Sequence, residues 1–381
     1  MNRSHTPLDQ KKTSDEVTRR DFLRLAGAVA GATALGAMAA GCQAEPPAQE
    51  VTVPASSGNP QARVAITKAT EYKEEEIDQL VFELIDQLGG LGDVVKSGDT
   101  VAIKVNLTGG TKSGLIPGYA AVDTFVTHPL VVKALIKQAQ ANGAREVFIV
   151  ESVYEWESYK LWGYEEIAED TGAKLIDLNK ADPYTDFIEA TVGDGSFVYP
   201  SFTFNQLLKD VDVFMSVSKM KNHYLAGVTH TMKNLYGLVP YRFYRLNPQD
   251  TYRSAFHGSE AQQRTRVPRI IVDINRARPI HFSLIDAIKT TEGGEGPWIA
   301  TINPIQPGLL VAGKNMVATD AVATALMTHD PVGNYPDVPF IRCDNHLNIA
   351  AAMGLGSNKL EDIEVVGEEI EKVRVKFSHA S

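Results

Sequence analysis

Three consecutive stretches decide the fold: Thr100-Val-Ala-Ile-Lys-Val-Asn-Leu107, Pro129-Leu-Val-Val-Lys-Ala-Leu-Ile-Lys-Gln-Ala-Gln-Ala-Asn-Gly143 and Glu146-Val-Phe-Ile-Val-Glu151. The first is a mostly apolar run, as a strand buried on both faces requires. The second repeats its apolar residues at helical spacing, with Pro129 suited to a first turn and Gly143 to a C-terminal cap. The third is again a strand. A helix over residues 162–171 and a strand over 174–178 complete a βαβαβ series. Such a series makes a parallel sheet with right-handed crossovers. Further along, strands are expected over 211–217, 281–286, 308–313 and 363–366, and helices over 264–276, 319–327 and 347–353. Thr319 or Asp320 would cap the second of these helices. Residues 108–118 read as a Gly/Thr/Ser loop, and 241–266 as a polar, aromatic lid or insertion. The expected fold is α/β: mostly parallel sheet(s) with helices on both faces, in one domain or two intertwined lobes.

The chain has 381 residues, and its first 41 read as an address. Thr18-Arg-Arg-Asp-Phe-Leu-Arg24 is a twin-arginine export motif, followed by a Gly/Ala-rich run too weakly apolar to span a bilayer. Ala39-Ala-Gly-Cys42 resembles a lipobox, so Cys42 would be acylated and become the mature N-terminus. A plain signal cut nearby, with Cys42 incidental, is the alternative. Acyl chains would hold the folded part at a membrane surface, outside the cytoplasm, without crossing it. Residues 42–63 are rich in Pro, Ala, Ser and Gln and read as a disordered tether, leaving 64–381 for the α/β domain. Residues 1–41 carry six basic and four acidic side chains, so their removal takes the net charge from −10 to −12. That balance argues against a nucleic-acid partner. Cys42 and Cys343 are the only cysteines, which excludes a cysteine-ligated iron–sulfur cluster.

Against this acidic background, residues 218–237 hold three lysines, two histidines and two asparagines, and no Asp or Glu. In open α/β sheets ligands gather beyond the carboxyl ends of strands. Lys104, Asn106, Lys219, Lys221, Asp286, Glu292 and Asp320 all fall near such ends. Lys219, Lys221 and Lys233, helped by Thr229, Asn234 and Asn222, could bind a small anion. A desolvated lysine could also form a covalent adduct. The blander alternative is that the lysines pair with Asp286, Glu292 and Asp320. His223 and His230 could serve as acid/base groups or metal ligands, with His257 as a third imidazole. His128 reads as a helix cap, and His281, His329, His346 and His379 as structural or surface residues. The loop Glu292-Gly-Gly-Glu-Gly-Pro297 lacks phosphate-binding spacing.

Ile103-Lys-Val-Asn-Leu107, Thr127-His-Pro129, the Lys-Asn-Leu-Tyr-Gly ending at Gly237, Ile285-Asp-Ala-Ile288 with the Glu292–Pro297 loop, and Ala318-Thr-Asp-Ala-Val-Ala323 together resemble the family called domain of unknown function 362. The resemblance runs over about residues 64–367 and implies no activity. The ferredoxin-type cysteine motifs of some members are missing here. His223-Tyr-Leu-Ala-Gly227 followed by Lys233 and Gly237 is also similar to a segment of nickel-pincer lactate racemases. That similarity implies a cofactor anchored on Lys233, an acid/base role for His223 and a metal-ligand role for His257. His128 matches the second racemase histidine only loosely, and the glycines flanking the racemase lysine are replaced. The expectation is an enzyme acting on a small anionic substrate, with His223 and Lys233 in catalysis. A non-catalytic anion- or cofactor-binding lipoprotein and a His-based metal-handling protein are the alternatives.

Overall fold

The structure is a computed structural model in which residues 62–379 are described; the export signal, Cys42 and all but the last two residues of the expected tether lie outside them. Strand β1 (Ala62–Lys68) starts within the stretch that composition assigned to the tether. It is followed by β2 (Thr100–Lys104), β3 (Glu146–Glu151), β4 (Lys174–Asp177), a separate hairpin of β5 (Phe187–Thr191) and β6 (Ser201–Asn205), then β7 (Val213–His223), β8 (Gly227–Thr229), β9 (Phe282–Glu292), β10 (Asn303–Ile305), β11 (Leu309–Gly313) and β12 (Ile363–Gly367). The main sheet runs β12-β1-β11-β9-β7-β2-β3-β4, with β8 hydrogen-bonded to β7 and β10 to β9. Neighbours along it are parallel except at β11, which is antiparallel to both β1 and β9. The mostly parallel α/β expectation holds.

One sheet with two apolar layers replaces the idea of two lobes. Along β2, Val101 and Ile103 belong to one layer and Ala102 to the other. The same alternation divides Ala65 from Val64 and Ile66 on β1. Period-two side-chain placement therefore feeds both faces, and helices cover each. Helices α1 (Glu74–Gln87) and α2 (Pro129–Ala141) pack on one face. Helices α3 (Glu260–Ala277), α4 (Met316–Leu326) and α5 (His346–Ala352) pack on the other. His128 caps α2 as expected, its Nδ1 accepting from Leu130 N at 3.2 Å. Among the described residues no helix is long and apolar enough to cross a membrane.

Four expectations need correction. The apolar signal of β7 fades at Val217, yet the strand continues through Lys219 and Lys221 to His223 because β9 and β8 supply backbone partners. Asp286 lies within β9, not at its end. Helix α4 starts at Met316, with Asn315 as its cap accepting from Ala318 N, so Asp320 lies inside the helix. The region 241–266 contains the first turns of α3 and a short helix, Ser254–His257.

Lys219 and Asp286 form a closed knot beside the sheet. Lys219 Nζ donates to Asp286 Oδ2 at 2.7 Å, and both side chains are fully buried. Asp286 also accepts from Tyr72 Oη at 2.7 Å and from His128 N at 3.0 Å. Tyr72 in turn stacks on His128, with ring centroids 3.7 Å apart. The carboxylate therefore ties β9, β7 and the start of α2 together. Removing one member of a buried pair leaves the other charge unpaired, which costs about 3–5 kcal/mol. Asp286→Ala is expected to lower the unfolding free energy from denaturant titration by that much, and a value within error of the parent would contradict this role.

Candidate functional site

Strands β2, β3 and β4 step outward in one direction, and β7 and β9 in the other. The sheet order thus reverses between β2 and β7, and a crevice opens outside the carboxyl ends of the strands at such a reversal. A cleft of about 620 Å³ lies there, lined by residues that follow or end β2, β3 and β7 and by the loops 246–258 and 295–299.

Its floor is a satisfied polar network. Lys104 Nζ donates to Glu151 Oε2 at 2.9 Å, Val105 O at 2.6 Å and Asn234 Oδ1 at 3.1 Å, which uses all three of its protons. Glu151 accepts from Leu107 N and Ser152 N as well. Asn234 Nδ2 reaches Ser216 Oγ at 3.1 Å, and Asn106 Nδ2 donates to Asn234 Oδ1 at 3.2 Å. Gly237 closes over this pair. A Cβ there would strike Glu151 Oε1 and lie 2.8 Å from Lys104 Nζ. Lys104 is thus neutralised in place and shapes the floor.

Three further cations face the cleft without a hydrogen-bonded carboxylate. Lys221 is fully buried and donates to the carbonyl of Phe125. Burial drives its amine well below the ordinary lysine range. Lys233 is 8% exposed and lies over the ring of Tyr236, 3.9 Å from the centroid. Burial lowers its pKa to about 7. Arg253 donates through Nε to Val239 O at 2.9 Å, while its buried Nη2 finds no partner among the described residues. Asn106 Oδ1 and Thr229 Oγ1, both on the cleft wall, are likewise unpartnered. Glu295 accepts from Tyr224 N at 2.9 Å and Trp298 Nε1 at 3.2 Å, and its field favours the protonated forms of Lys221 and Lys233 without a direct hydrogen bond to either.

The two cleft imidazoles have opposite polarity. His223 Nδ1 accepts from Leu225 N and Ala226 N, so a neutral ring carries its proton on Nε2. Burial, reinforced by Lys233, holds its pKa well below the usual histidine range. His257 Nδ1 lies 3.2 Å from the Arg253 carbonyl, which can only accept, so the bare lone pair of this ring is on Nε2. Burial lowers its pKa to about 4. At neutral pH His223 is a hydrogen-bond donor and His257 an acceptor.

The cleft therefore gathers Lys104, Asn106, Lys221, His223, Thr229, Lys233, Asn234 and His257 of the sequence candidates. It does not gather the others. Lys219 and Asp286 are consumed by each other. Glu292 accepts from Ser378 N and Asn303 Nδ2 at the far end of β9. Asp320 accepts from Thr231 N, Thr231 Oγ1 and Met232 N, pinning the short helix Thr231–Asn234 that carries Lys233 and Asn234. Burial pushes its carboxyl up to about 7. His230 is fully buried away from the cleft, with neither ring nitrogen partnered among the described residues. Among those residues no three His, Cys, Asp or Glu side chains converge to hold a metal ion, and His230 does not join His223 and His257 in the cleft. Sequence reasoning missed Arg253, Glu295 and Trp298. The glycine-rich loop was the available signal for the last two, and Arg253 sat unremarked in a polar stretch.

Comparison with known proteins identifies an export signal and a family. A twin-arginine translocation pathway signal sequence matches residues 16–36, so the chain carries an export signal. The thylakoid-associated protein of a Synechocystis strain is 26% identical over 277 residues, covering 70% of this chain and 75% of that relative. Two solved structures are similar in fold: a protein from Thermotoga maritima (12% identity, TM-score 0.32, 66% of this chain and 57% of that one) and the lactate racemase apoprotein from Thermoanaerobacterium thermosaccharolyticum (14%, 0.35, 65% and 54%). This chain spans little more than half the length of either, and neither likeness transfers a residue role. The profile described as "Domain of unknown function (DUF362)" matches residues 101–325, more than half of the sequence, and the protein belongs to that family.

Proposed function

We propose that this exported protein binds an anionic small molecule in the cleft and acts on it as an enzyme of proton transfer. The observation that carries the reading is the excess of basic groups: Lys221 and Arg253 are buried beside the Lys233 amine, and none of the three has a carboxylate within hydrogen-bond reach among the described residues. Buried charge is costly unless it is paired, so the site favours a ligand that brings negative charge. An acid held by Lys221 and Arg253 would meet three groups suited to proton movement. His257 Nε2 and the neutral amine of Lys233 can accept a proton, and His223 Nε2–H can donate a hydrogen bond to a developing oxyanion. A non-catalytic binding protein would need the cations but not these imidazoles of opposite polarity.

A cofactor anchored on Lys233 is compatible with the same cleft in a limited sense. Among the described residues the Lys233 amine meets the Tyr236 ring and no carboxylate, and His257 offers one free imidazole lone pair. A bound metal-containing group would supply hydride or electron-sink chemistry there. Association with a membrane through acylated Cys42 belongs to the same reading. The Synechocystis relative is named thylakoid-associated, and that name favours this reading.

Calorimetry with acetate is expected to give binding that weakens at least tenfold in Lys221→Met and Arg253→Gln. Incubation with short 2-hydroxy or 2-oxo acids in deuterated water should show exchange of carbon-bound hydrogen by NMR, lost in His257→Ala. Unaltered binding in both cation variants sinks the anion site; binding without exchange favours the non-catalytic alternative. Lys233 offers a pH test. Its amine titrates near 7 in the folded chain against 10.5 for an ordinary lysine. Trinitrobenzenesulfonate at pH 8 should therefore label Lys233 ahead of exposed lysines, as read by peptide mass mapping. The sign for stability follows: the unfolded chain holds this proton up to about 10.5, so this group makes folding more favourable as pH rises from about 7. For the anchor, intact mass of the exported protein should show an acylated N-terminal Cys42, and Cys42→Ala should release it from the membrane fraction. An unmodified mass would remove the lipid from the proposal.

A further inference from the structure

The anion reading leaves most of the cleft unexplained. A cavity of about 620 Å³ is in the range of sites for drug-sized molecules, and an acid the size of acetate or lactate would fill a small part of it. The cations lie deep, on Lys221, Lys233 and Arg253. Tyr154, Leu246, Tyr252 and Trp298 also line it, and they are 38%, 58%, 46% and 45% exposed. Large apolar groups left in water around one cavity mark a binding surface.

Trp298 is the most constrained of them. The six-membered ring of its indole packs close against Gly109 and Gly296. A Cβ on Gly109 would come within 2.8 Å of Cη2, and one on Gly296 within 2.5 Å of Cζ2. No residue but glycine leaves room for the ring at either point. Glu295 Oε1 accepts from Trp298 Nε1 at 3.2 Å, and Phe125 meets the ring edge-on with centroids 6.4 Å apart. The indole is thus fixed in position while nearly half of it stays uncovered. Burial does not account for that, because a core tryptophan would be turned inward. A fixed, half-exposed aromatic face at the mouth of a cationic pocket is a stacking platform.

We infer that the cleft takes an aromatic acid, whose planar body stacks on Trp298 against the Tyr252 wall and whose carboxylate reaches Lys221 and Arg253. This rests on the anion reading and narrows it to a substrate class. The ring supplies apolar area and stacking, and the acid group supplies the charge that the buried cations lack. The polar groups near the floor, Asn106 Oδ1 and Thr229 Oγ1, remain free for a further substituent on the ring.

Calorimetry on the mature protein with naphthoate, its neutral amide and acetate tests this. Naphthoate is expected to bind at least tenfold more tightly than either of the others. Trp298→Ala should weaken naphthoate about tenfold and leave acetate unchanged, and Trp298→Phe should retain most of the affinity. Tyr252→Ala, at an exposed position that folding does not depend on, should weaken naphthoate selectively as well. Equal affinity for naphthoate and acetate overturns the inference while sparing the anion site. So does unchanged naphthoate binding in a folded Trp298→Ala and in Tyr252→Ala. Failure of acetate and naphthoate alike overturns the anion reading and this inference with it.

Discussion

The buried Lys104–Glu151 ion pair is the constraint on which the rest of the site depends. Its charges come from the ends of two adjacent strands, and Asn234 bridges them to a third. Each polar atom of the ammonium is used, which is the condition under which a buried charge is tolerated. Because Gly237 has no side chain, the segment after the helix Thr231–Asn234 can lie directly on the pair. The position of Lys233 follows from this, since it precedes the asparagine that the pair holds. Asp320 fixes the other end of the same short helix from α4. The reactive-looking lysine is therefore placed by two buried carboxylates that never touch the cleft space themselves or do so only as floor.

Four buried lysines, Lys104, Lys219, Lys221 and Lys233, show how local geometry separates residues of one type. Lys104 and Lys219 have carboxylates at 2.9 and 2.7 Å and are structural. Lys221 and Lys233 have none and face the cavity. Lys219 and Lys221 are two residues apart on one strand, so their side chains point the same way. What distinguishes them is the partner strand. Lys219 is in register with Asp286, whereas a bulge in the pairing shifts Lys221 opposite Thr291. A bulge that re-aims a ladder beside a functional site is a recurrent device. Here it leaves Lys221 with a backbone carbonyl as acceptor in place of a carboxylate.

Much of the fold was legible because burial on both faces writes itself as apolar runs. Residues 100–107, 146–151 and 308–313 carry that signal, and all three are central strands. The signal failed where strand residues are polar. The last five residues of β7 read Lys-Met-Lys-Asn-His and are extended only because β8 and β9 bond to them. The site was legible in part. The density of cations in residues 218–237 pointed to the right cleft wall, and the carboxyl-end rule pointed to Lys104 and Asn106. The opposite carboxylates were misassigned, since Asp286, Glu292 and Asp320 sit near the right strands and helices but point into other contacts.

By itself the sequence determined an α/β chain with an export signal, and it determined which segment is cationic, because composition and periodicity are local properties. Only the tertiary structure decided which cations are neutralised. That depends on which carboxylate lies within about 3 Å across the sheet, and register and bulges between distant strands set that distance. It also decided the tautomers of His223 and His257, fixed by backbone groups whose placement no spacing reveals. Gly109 and Gly296 are simple loop glycines in the sequence. Their purpose appears only when the indole of Trp298 folds down onto them, since two segments nearly two hundred residues apart must meet for a missing Cβ to matter.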